Sequence, residues 1–403
     1  MDIDYRVVEI AQKEGTPLYI FDVVTLKKRI DQIKNILGDK IKLCYSIKAN
    51  PFLIPVIANI VDKLEVCSPG ELNICENIGT RKIDMARIIY SGVNKTYENI
   101  SAAFKVQVGE YTAESIQQVE LINKVASENN LIVPVYLRLN IGSQFGMSED
   151  DIMYVIKRKN VFNHINIVGL HYFVGTQRKN DSYEKQKNEL NYLHNLYDKI
   201  EEKFEYKLKK LEYGPGFPVP LYNTDDFSDT LYPLKSLEKV FKDVSSWTEL
   251  TVEMGRFIVS ECGCYITKLM DKKTNDGVNY AIFDGGINHV NYYGQIMGMK
   301  TPIIFHYDKN LNLVDDEKVE NWKICGSLCT INDDLVRSYK TSNMNIGDYF
   351  VFCNIGAYSV TEGIYLFLSR MLPKIVIYEG DGKYCVVRDF IETSILNTPT
   401  YSN

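Results

Sequence analysis

The sequence predicts an α/β protein: a TIM-type (β/α)8 barrel followed by an all-β C-terminal domain that takes in one N-terminal strand. Three observations lead there. At 403 residues the chain exceeds one ordinary core, and a barrel commonly takes about 250 residues. Between roughly residue 40 and Arg256, short apolar runs alternate with amphipathic stretches, the βαβα rhythm of a parallel sheet. Beyond Arg256 the long helical stretches stop and strand-like runs follow one another.

The first strand-like run, Pro17-Leu18-Tyr19-Ile20-Phe21-Asp22, precedes the alternation and is therefore expected in the sheet of the second domain. Candidate barrel strands follow at 41–47, 64–67, 88–91, 106–111, 134–140, 165–172, 209–213 and 250–253, with helical periodicity between them, as at 71–78 and 183–204. The fourth is weak, and on pattern alone an open sheet fits nearly as well as a closed barrel. Strands of the second domain are expected at 265–270, 280–283, 302–306, 322–325, 349–353, 375–378 and 384–387. The domains are accordingly drawn as 1–25 joining the β-domain, 26–256 as the barrel and 257–403 as the β-domain, with no internal repeat or flexible linker.

Composition excludes several functions. With 45% hydrophobic and 24% charged residues the chain is globular. A net charge of -6, with basic runs interspersed by acids, argues against nucleic acid as a partner. Met1-Asp2-Ile3-Asp4-Tyr5-Arg6 is acidic where a secretory signal would be basic, and no run of about 18 apolar residues exists, so a cytoplasmic protein without membrane contact is expected. Nine cysteines, mostly in apolar segments, read as thiols of a reducing compartment. Cys262-Gly263-Cys264 lacks zinc spacing and a second ligand pair, so no metal is expected.

Candidate chemistry lies where barrel strands end, because the carboxyl ends of the strands form the active face of such barrels. Lys48 follows the first strand. A strand-end lysine is commonly solvated or ion-paired, but apolar and small neighbours here favour a desolvated, nucleophilic amine. Gly214-Pro215-Gly216 follows the seventh strand, where glycines let backbone N–H groups approach a phosphate; alone it is merely a turn. Glu253, in Glu253-Met254-Gly255-Arg256, ends the eighth. It reads either as half of an ion pair or as a carboxylate that keeps a pyridine nitrogen protonated, with Arg256 toward a phosphate. An amine for an aldehyde, donors for a phosphate and an acid for a ring nitrogen together describe one cofactor, pyridoxal 5'-phosphate.

Over nearly its whole length the sequence resembles the fold-type III pyridoxal-phosphate decarboxylases, the family of diaminopimelate, ornithine and arginine decarboxylases. The matching runs occur in family order: Tyr45-Ser46-Ile47-Lys48-Ala49-Asn50, Glu65-Val66-Cys67-Ser68-Pro69-Gly70-Glu71-Leu72, Ser91-Gly92-Val93-Asn94-Lys95, Arg138-Leu139-Asn140, Gln144-Phe145-Gly146-Met147, Gly169-Leu170-His171, Gly214-Pro215-Gly216, Glu253-Met254-Gly255-Arg256, Asp284-Gly285-Gly286 and Gly356-Ala357-Tyr358. The resemblance implies that Lys48 is the Schiff-base lysine, Glu65 a ring-proximal acid, and Glu71 and Arg138 parts of the surrounding polar network. It further implies that Phe173, Thr176, Gly214, Gly216, Arg256 and Tyr358 bind the cofactor and Glu253 its ring nitrogen. It implies a homodimer with shared active sites, in which Cys329 comes from the partner chain and returns a proton to the α-carbon. A buried, inert Cys329 is the alternative.

Two departures stand out. Where the family commonly stacks a histidine on the ring, this chain reads Gly169-Leu170-His171-Tyr172-Phe173, which puts Phe173 in that place and leaves His171 to be read as a satisfied core histidine or a neighbour of the site. The residue after Cys329 is Thr330, where decarboxylases of basic amino acids carry an acid for the distal ammonium. An unpaired buried ammonium costs on the order of several kcal/mol. Asp333 or Asp334 could stand in for the missing acid, Thr330 and Asp333 are the expected substrate contacts, and the pattern is more similar to the specialised-pathway branch, exemplified by the butirosin-pathway decarboxylase of a carrier-bound glutamyl group and the staphyloferrin-pathway decarboxylase. The expected activity is decarboxylation of an amino acid or an amino-acid-derived intermediate, free or carrier-bound. A diaminopimelate or basic amino-acid decarboxylase, an alanine-type racemase and a silent cofactor carrier are the alternatives.

Overall fold

Strand β1 (Leu18–Asp22) stands apart from the eight strands that follow it: β2 (Lys42–Ser46), β3 (Lys63–Val66), β4 (Ile88–Tyr90), β5 (Glu110–Ala113), β6 (Val133–Arg138), β7 (Ile165–Phe173), β8 (Lys210–Gly214) and β9 (Glu249–Met254). In the computed structural model, which describes residues 4–79, 82–179, 182–293, 298–314, 320–342 and 344–400, these eight pair in parallel and in order, and β9 closes on β2. The open-sheet alternative is thereby removed. Residues 29–219 and 229–258 form this unit; 1–28, 220–228 and 259–403 form a second.

Four of the helices between the strands begin where a side chain satisfies their first N–H groups. The Ser68 hydroxyl accepts from Glu71 N at 3.1 Å ahead of helix Pro69–Glu76, and Thr96, Ser115 and Ser148 cap later helices in the same way. Helix Tyr183–Phe204 buries Leu190, Leu193, Leu196, Tyr197 and Ile200 along one side. The fourth barrel strand lies later than the expected 106–111. Val106 ends helix Tyr97–Lys105 by bonding back to Ala102 O, Gln107 takes a positive φ of 59°, and pairing starts only at Glu110.

Alternation along each strand decides what lines the barrel. Tyr213 of β8 packs outward on Phe241 of helix Tyr232–Val244, so Lys210, Glu212 and Gly214 face the lumen. The lumen is polar where many barrels carry branched apolar side chains. At the amino ends of the strands Glu110 binds both Lys63 and Lys210, and Lys42 binds Glu249 at 2.6 Å.

In the second unit β1 is central. It pairs antiparallel with β10 (Gly263–Asn275) and parallel with β16 (Lys374–Gly380). The sheet extends on one side through β11 (Val278–Phe283), β13 (Glu320–Cys325) and β14 (Asp334–Thr341), and on the other through β17 (Lys383–Arg388). β15 (Tyr349–Phe352) pairs with β10 and with β12 (Ile304–Tyr307). Helix Arg6–Glu14 contributes Val7, Val8, Ile10 and Ala11 to the core beneath Leu18, Ile20, Ile266 and Val376. Neither this helix nor β14 was foreseen; β14 buries Asp334, Leu335 and Val336 in a row and then exposes Arg337 and Ser338, so it lacks the period-two alternation that marks a strand. The stretch 220–228, assigned from sequence to the barrel, groups with this unit because Asn223 N bonds Thr301 O at 2.9 Å and Tyr222 packs on Tyr292. Among the described residues no helix is long and apolar enough to cross a membrane.

Candidate active site

Strand β2 ends at Ser46 and the chain turns through the short 3-10 segment Ile47–Ala49, which stops because Asn50 is extended and its side chain caps the next turn at Phe52 N, 3.1 Å away. Lys48 thus projects from the carboxyl end of the strand. Its Nζ lies 2.6 Å from Glu65 Oε2, 3.5 Å from Cys67 Sγ and 3.5 Å from Glu253 Oε1.

Glu253 collects donors from three strands or turns. Ser46 Oγ donates to Oε1 at 2.7 Å, Lys48 approaches the same oxygen, and His171 Nε2 lies 3.1 Å from Oε2. Burial by itself raises a carboxyl's pKa, but Lys48, His171 and Ser46 together hold Glu253 well below the usual carboxylate range. It is an anion in the barrel mouth. His171 is therefore more than the core histidine read from the sequence: it bonds the central acid of the site.

The other predicted residues surround this pair. Glu71 accepts Cys67 N at 2.6 Å, and burial first, then Glu65, raises its carboxyl. Arg138 binds Glu114 at 2.6 Å and spreads its guanidinium between the rings of Phe145 and Phe173, 4.9 and 6.0 Å from their centroids. Lys95 is buried against Gly92 O and Gln118, and desolvation pushes its ammonium down to about 8.

The glycine run is a cradle that a side chain would fill. A Cβ on Gly214 would meet Phe173 Cδ2 at 2.3 Å; Gly216 has φ +61°, and its Cβ would lie 2.0 Å from Gly175 O. Val174 N, Gln186 Nε2 and Arg178 N hold the carbonyls of Gly214, Pro215 and Gly216, which fixes the peptide planes of the loop. Thr176 is exposed on the facing loop, and Arg256 is buried at the start of helix Arg256–Val259 after β9.

In the β unit, Cys329 is exposed on the turn between β13 and β14, which removes the buried alternative. Thr330 Oγ1 accepts Asn332 N at 3.3 Å. Asp333, expected to touch substrate, is 2% exposed, and its two oxygens accept Ile287 N at 2.8 Å and Leu328 N at 2.7 Å, with Gly286 and Gly326 packed against them. That expectation is corrected: Asp333 anchors the turn that carries Cys329. Tyr358 holds a positive φ of 67° at the start of helix Ser359–Glu362. Sequence reasoning missed Ser46, Cys67, Glu114 and Glu212 as members of the site region. Ser46 is the last residue of β2, two before Lys48 in the turn that follows, and the period-two pattern Lys210-Glu212-Gly214 was the available signal for Glu212.

The family model for the pyridoxal binding domain of pyridoxal-dependent decarboxylases matches residues 23–260. Diaminopimelate decarboxylase of Haemophilus influenzae is 26% identical, covering 96% of this chain and 93% of its own. L-glutamyl-[BtrI acyl-carrier protein] decarboxylase of Niallia circulans is 25% identical over 96% of this chain and 94% of its own. The crystal structure of M. jannaschii diaminopimelate decarboxylase with L-lysine superposes with a TM-score of 0.81 at 20% identity, covering 97% of this chain and 93% of that one. The residues in hand fit the cofactor that this family uses: Lys48 is an amine for its aldehyde, Glu253 an anion for its ring nitrogen, and the Gly214–Gly216 loop a bare backbone cradle for its phosphate. The chain belongs to the pyridoxal-dependent decarboxylases, and is a carboxy-lyase that works with pyridoxal 5'-phosphate.

Proposed function

We propose that the substrate is an amino-acid-derived intermediate of a specialised pathway, free or tethered to a carrier, and that the active form is a homodimer in which each chain supplies Cys329 to the other's barrel. One observation carries the substrate reading. The position after Cys329 is Thr330; of the nearby acids that could replace a missing carboxylate, Asp334 is already paired with Lys323 at 2.9 Å and Asp333 has both oxygens committed to backbone N–H groups. A distal ammonium would find no partner from either residue. The similarity to a decarboxylase of a carrier-bound glutamyl group agrees with this.

When bound, the cofactor supplies an electron sink for the pair left behind as carbon dioxide departs. The chain's own residues prepare it. Glu253, anionic and held by Ser46 and His171, keeps a proton on the ring nitrogen. Lys48 offers the amine that holds the aldehyde, and Glu65 at 2.6 Å takes up its ammonium proton when the neutral amine is needed. Phe173 packs against Gly214 and supplies an apolar face where the family has an imidazole, so proton handling falls to other groups. Cys329 returns a proton to the α-carbon. Arg256 and the glycine loop take the phosphate.

The test is a mass-spectrometric screen of the loaded enzyme against diaminopimelate, ornithine, lysine and carrier-tethered or conjugated amino acids, following loss of one carbon dioxide. Conjugated or tethered substrates should be preferred in kcat/KM; highest efficiency with diaminopimelate would refute the substrate reading. Mixing Lys48→Ala with Cys329→Ala chains should restore activity that neither variant has alone, and failure to do so would refute the shared site.

A further inference from the structure

Three adjacent strands of the barrel carry, at one level, buried polar atoms with no hydrogen-bond partner among the described residues: Nδ1 of His171 on β7, both carboxyl oxygens of Glu212 on β8, and Oγ1 of Thr251 on β9. The register sets His171 beside Glu212 and Glu212 beside Thr251. Residues paired across parallel strands point to the same face, and that face is the lumen, because His171 reaches Glu253 and Thr251 precedes Glu253 by two. The three are 2%, 0% and 1% exposed.

Buried polar groups without partners are rare, and a buried carboxylate without a single donor is among the costliest. Glu253 shows the contrast, since it is ionised with donors on both oxygens. The titratable groups that face Glu212 are Glu253 from β9, Glu65 and Lys63 from β3, Glu110 from β5, the Cys44 thiol from β2 and the Tyr136 hydroxyl from β6, besides His171 from β7. The one lysine among them is already bound to Glu110. A negative Glu212 would have no bonded donor among the described residues, and its one facing cation, Lys63, is shared with Glu110. A neutral carboxylic acid instead has an O–H to give, and Nδ1 of His171, its register partner on β7, accepts it when Nε2 carries the ring proton.

We infer that Glu212 stands as a neutral acid that gives its O–H to Nδ1 of His171, directly or through one enclosed water shared with Thr251, and so fixes His171 as the Nε2–H tautomer that donates to Glu253. Glu212 is thus a positioning residue acting through His171. Desolvation, followed by the charges of Glu253 and Glu65, drives its carboxyl well above the ordinary range, in the same direction. The consequence for catalysis rests on the reading of Glu253 as the partner of the ring nitrogen: a neutral imidazole leaves the full anionic charge of Glu253 for that nitrogen.

The chain has only five histidines, so ring-nitrogen NMR of the full chain labelled at histidine, with and without pyridoxal phosphate, reads the tautomer directly, with His171→Asn identifying the resonance. Wild type should show a bare Nδ1 and a protonated Nε2. Glu212→Gln should keep that pattern, because an amide N–H replaces the acid O–H. Glu212→Leu should lose it, giving averaged or doubly protonated nitrogens. A proton on Nδ1 of the wild type, or an unchanged spectrum in Glu212→Leu, overturns the inference. If Glu212→Leu does not fold, the wild-type and Glu212→Gln spectra still decide. The readout does not depend on turnover, so a failure here is distinct from a failure of the role given to Glu253, which Glu253→Gln tests.

Discussion

Replacing Glu253 by glutamine keeps the shape of the side chain and removes its charge. Three donors now meet that carboxylate: Ser46 at 2.7 Å, His171 at 3.1 Å and Lys48 at 3.5 Å. The amide oxygen can keep Ser46 and Lys48, but its NH2 then faces the Nε2 that donated to Oε2. Losing one hydrogen bond to a charged group costs about 1.5–3 kcal/mol, while Lys48 keeps Glu65 at 2.6 Å, so the variant should fold with a Tm lower by several degrees, on the order of 2–4 °C per kcal/mol. The rate should suffer more. Removing a single preorganised electrostatic partner of a transition state typically lowers kcat by about 10²–10³, and here the partner carries a full charge toward the ring nitrogen. The assay is carbon dioxide release at saturating substrate and saturating cofactor, with cofactor occupancy followed by its visible absorbance, so that weak loading is not mistaken for slow chemistry. The pH dependence has a defined sign. Because the folded carboxyl is held below the unfolded value of about 4.3, Glu253 contributes stability that is present above that value and lost as pH falls through the folded one. Glu253→Gln should lack that part of the acid sensitivity. A fully loaded variant with kcat within about threefold of wild type would refute the ring-nitrogen role, since that is well under the 1.36 kcal/mol of a tenfold change.

Gly216→Ala forces a Cβ to 2.0 Å from Gly175 O at φ +61°, and the left-handed conformation alone costs roughly 1–2 kcal/mol; titration of the cofactor should show at least about tenfold weaker binding, and unchanged affinity would remove the cradle from the phosphate site. Glu110→Gln leaves Lys63 and Lys210 without their shared counter-charge at the closed end of the barrel and should destabilise by about 3–5 kcal/mol in chemical denaturation. Burial raises the Glu110 carboxyl, but the two lysines outweigh it and hold it low, so the wild-type advantage should shrink as pH drops below the unfolded carboxylate value. Thr330→Asp supplies the acid absent after Cys329 and should raise kcat/KM for basic amino acids relative to other substrates; no change in that ratio would exclude the position from substrate recognition. Glu212→Gln should gain stability over wild type as pH rises above about 4.3, by up to about 1.4 kcal/mol per pH unit until the folded value is passed, because a carboxyl raised in the folded state loses ground with every unit. A difference independent of pH would mean that Glu212 is ionised in the fold.

The barrel was legible because its strands are short apolar runs that end in chemically unusual residues, and the order of those ends is the order in which Lys48, Arg138, His171, Gly214 and Glu253 converge. What the sequence concealed has a common cause. Hydropathy marks a strand by its outward side chains, Leu211 and Tyr213 or Leu250 and Val252, and treats the residues between them as noise; in a barrel with a polar lumen those residues are the site. Glu212 and Thr251 were passed over for this reason, and His171 was left between packing and the edge of the site because a lone histidine in an apolar run carries no sign of the carboxylate that meets it from another strand. Asp333 erred in the opposite way. Its distance of four residues from Cys329 made it a plausible substrate ligand, but a carboxylate beside Gly286 and Gly326 finds backbone N–H groups closer than any substrate. Linear spacing indicates which residue types can meet, and the donors already present around each oxygen determine which of them remain available for chemistry. By that criterion Glu253, charged and held from several sides, is available to a bound ring in the proposed mechanism, Asp333 is consumed by its own loop, and Glu212, with no donor bonded to it among the described residues, has a proton to give.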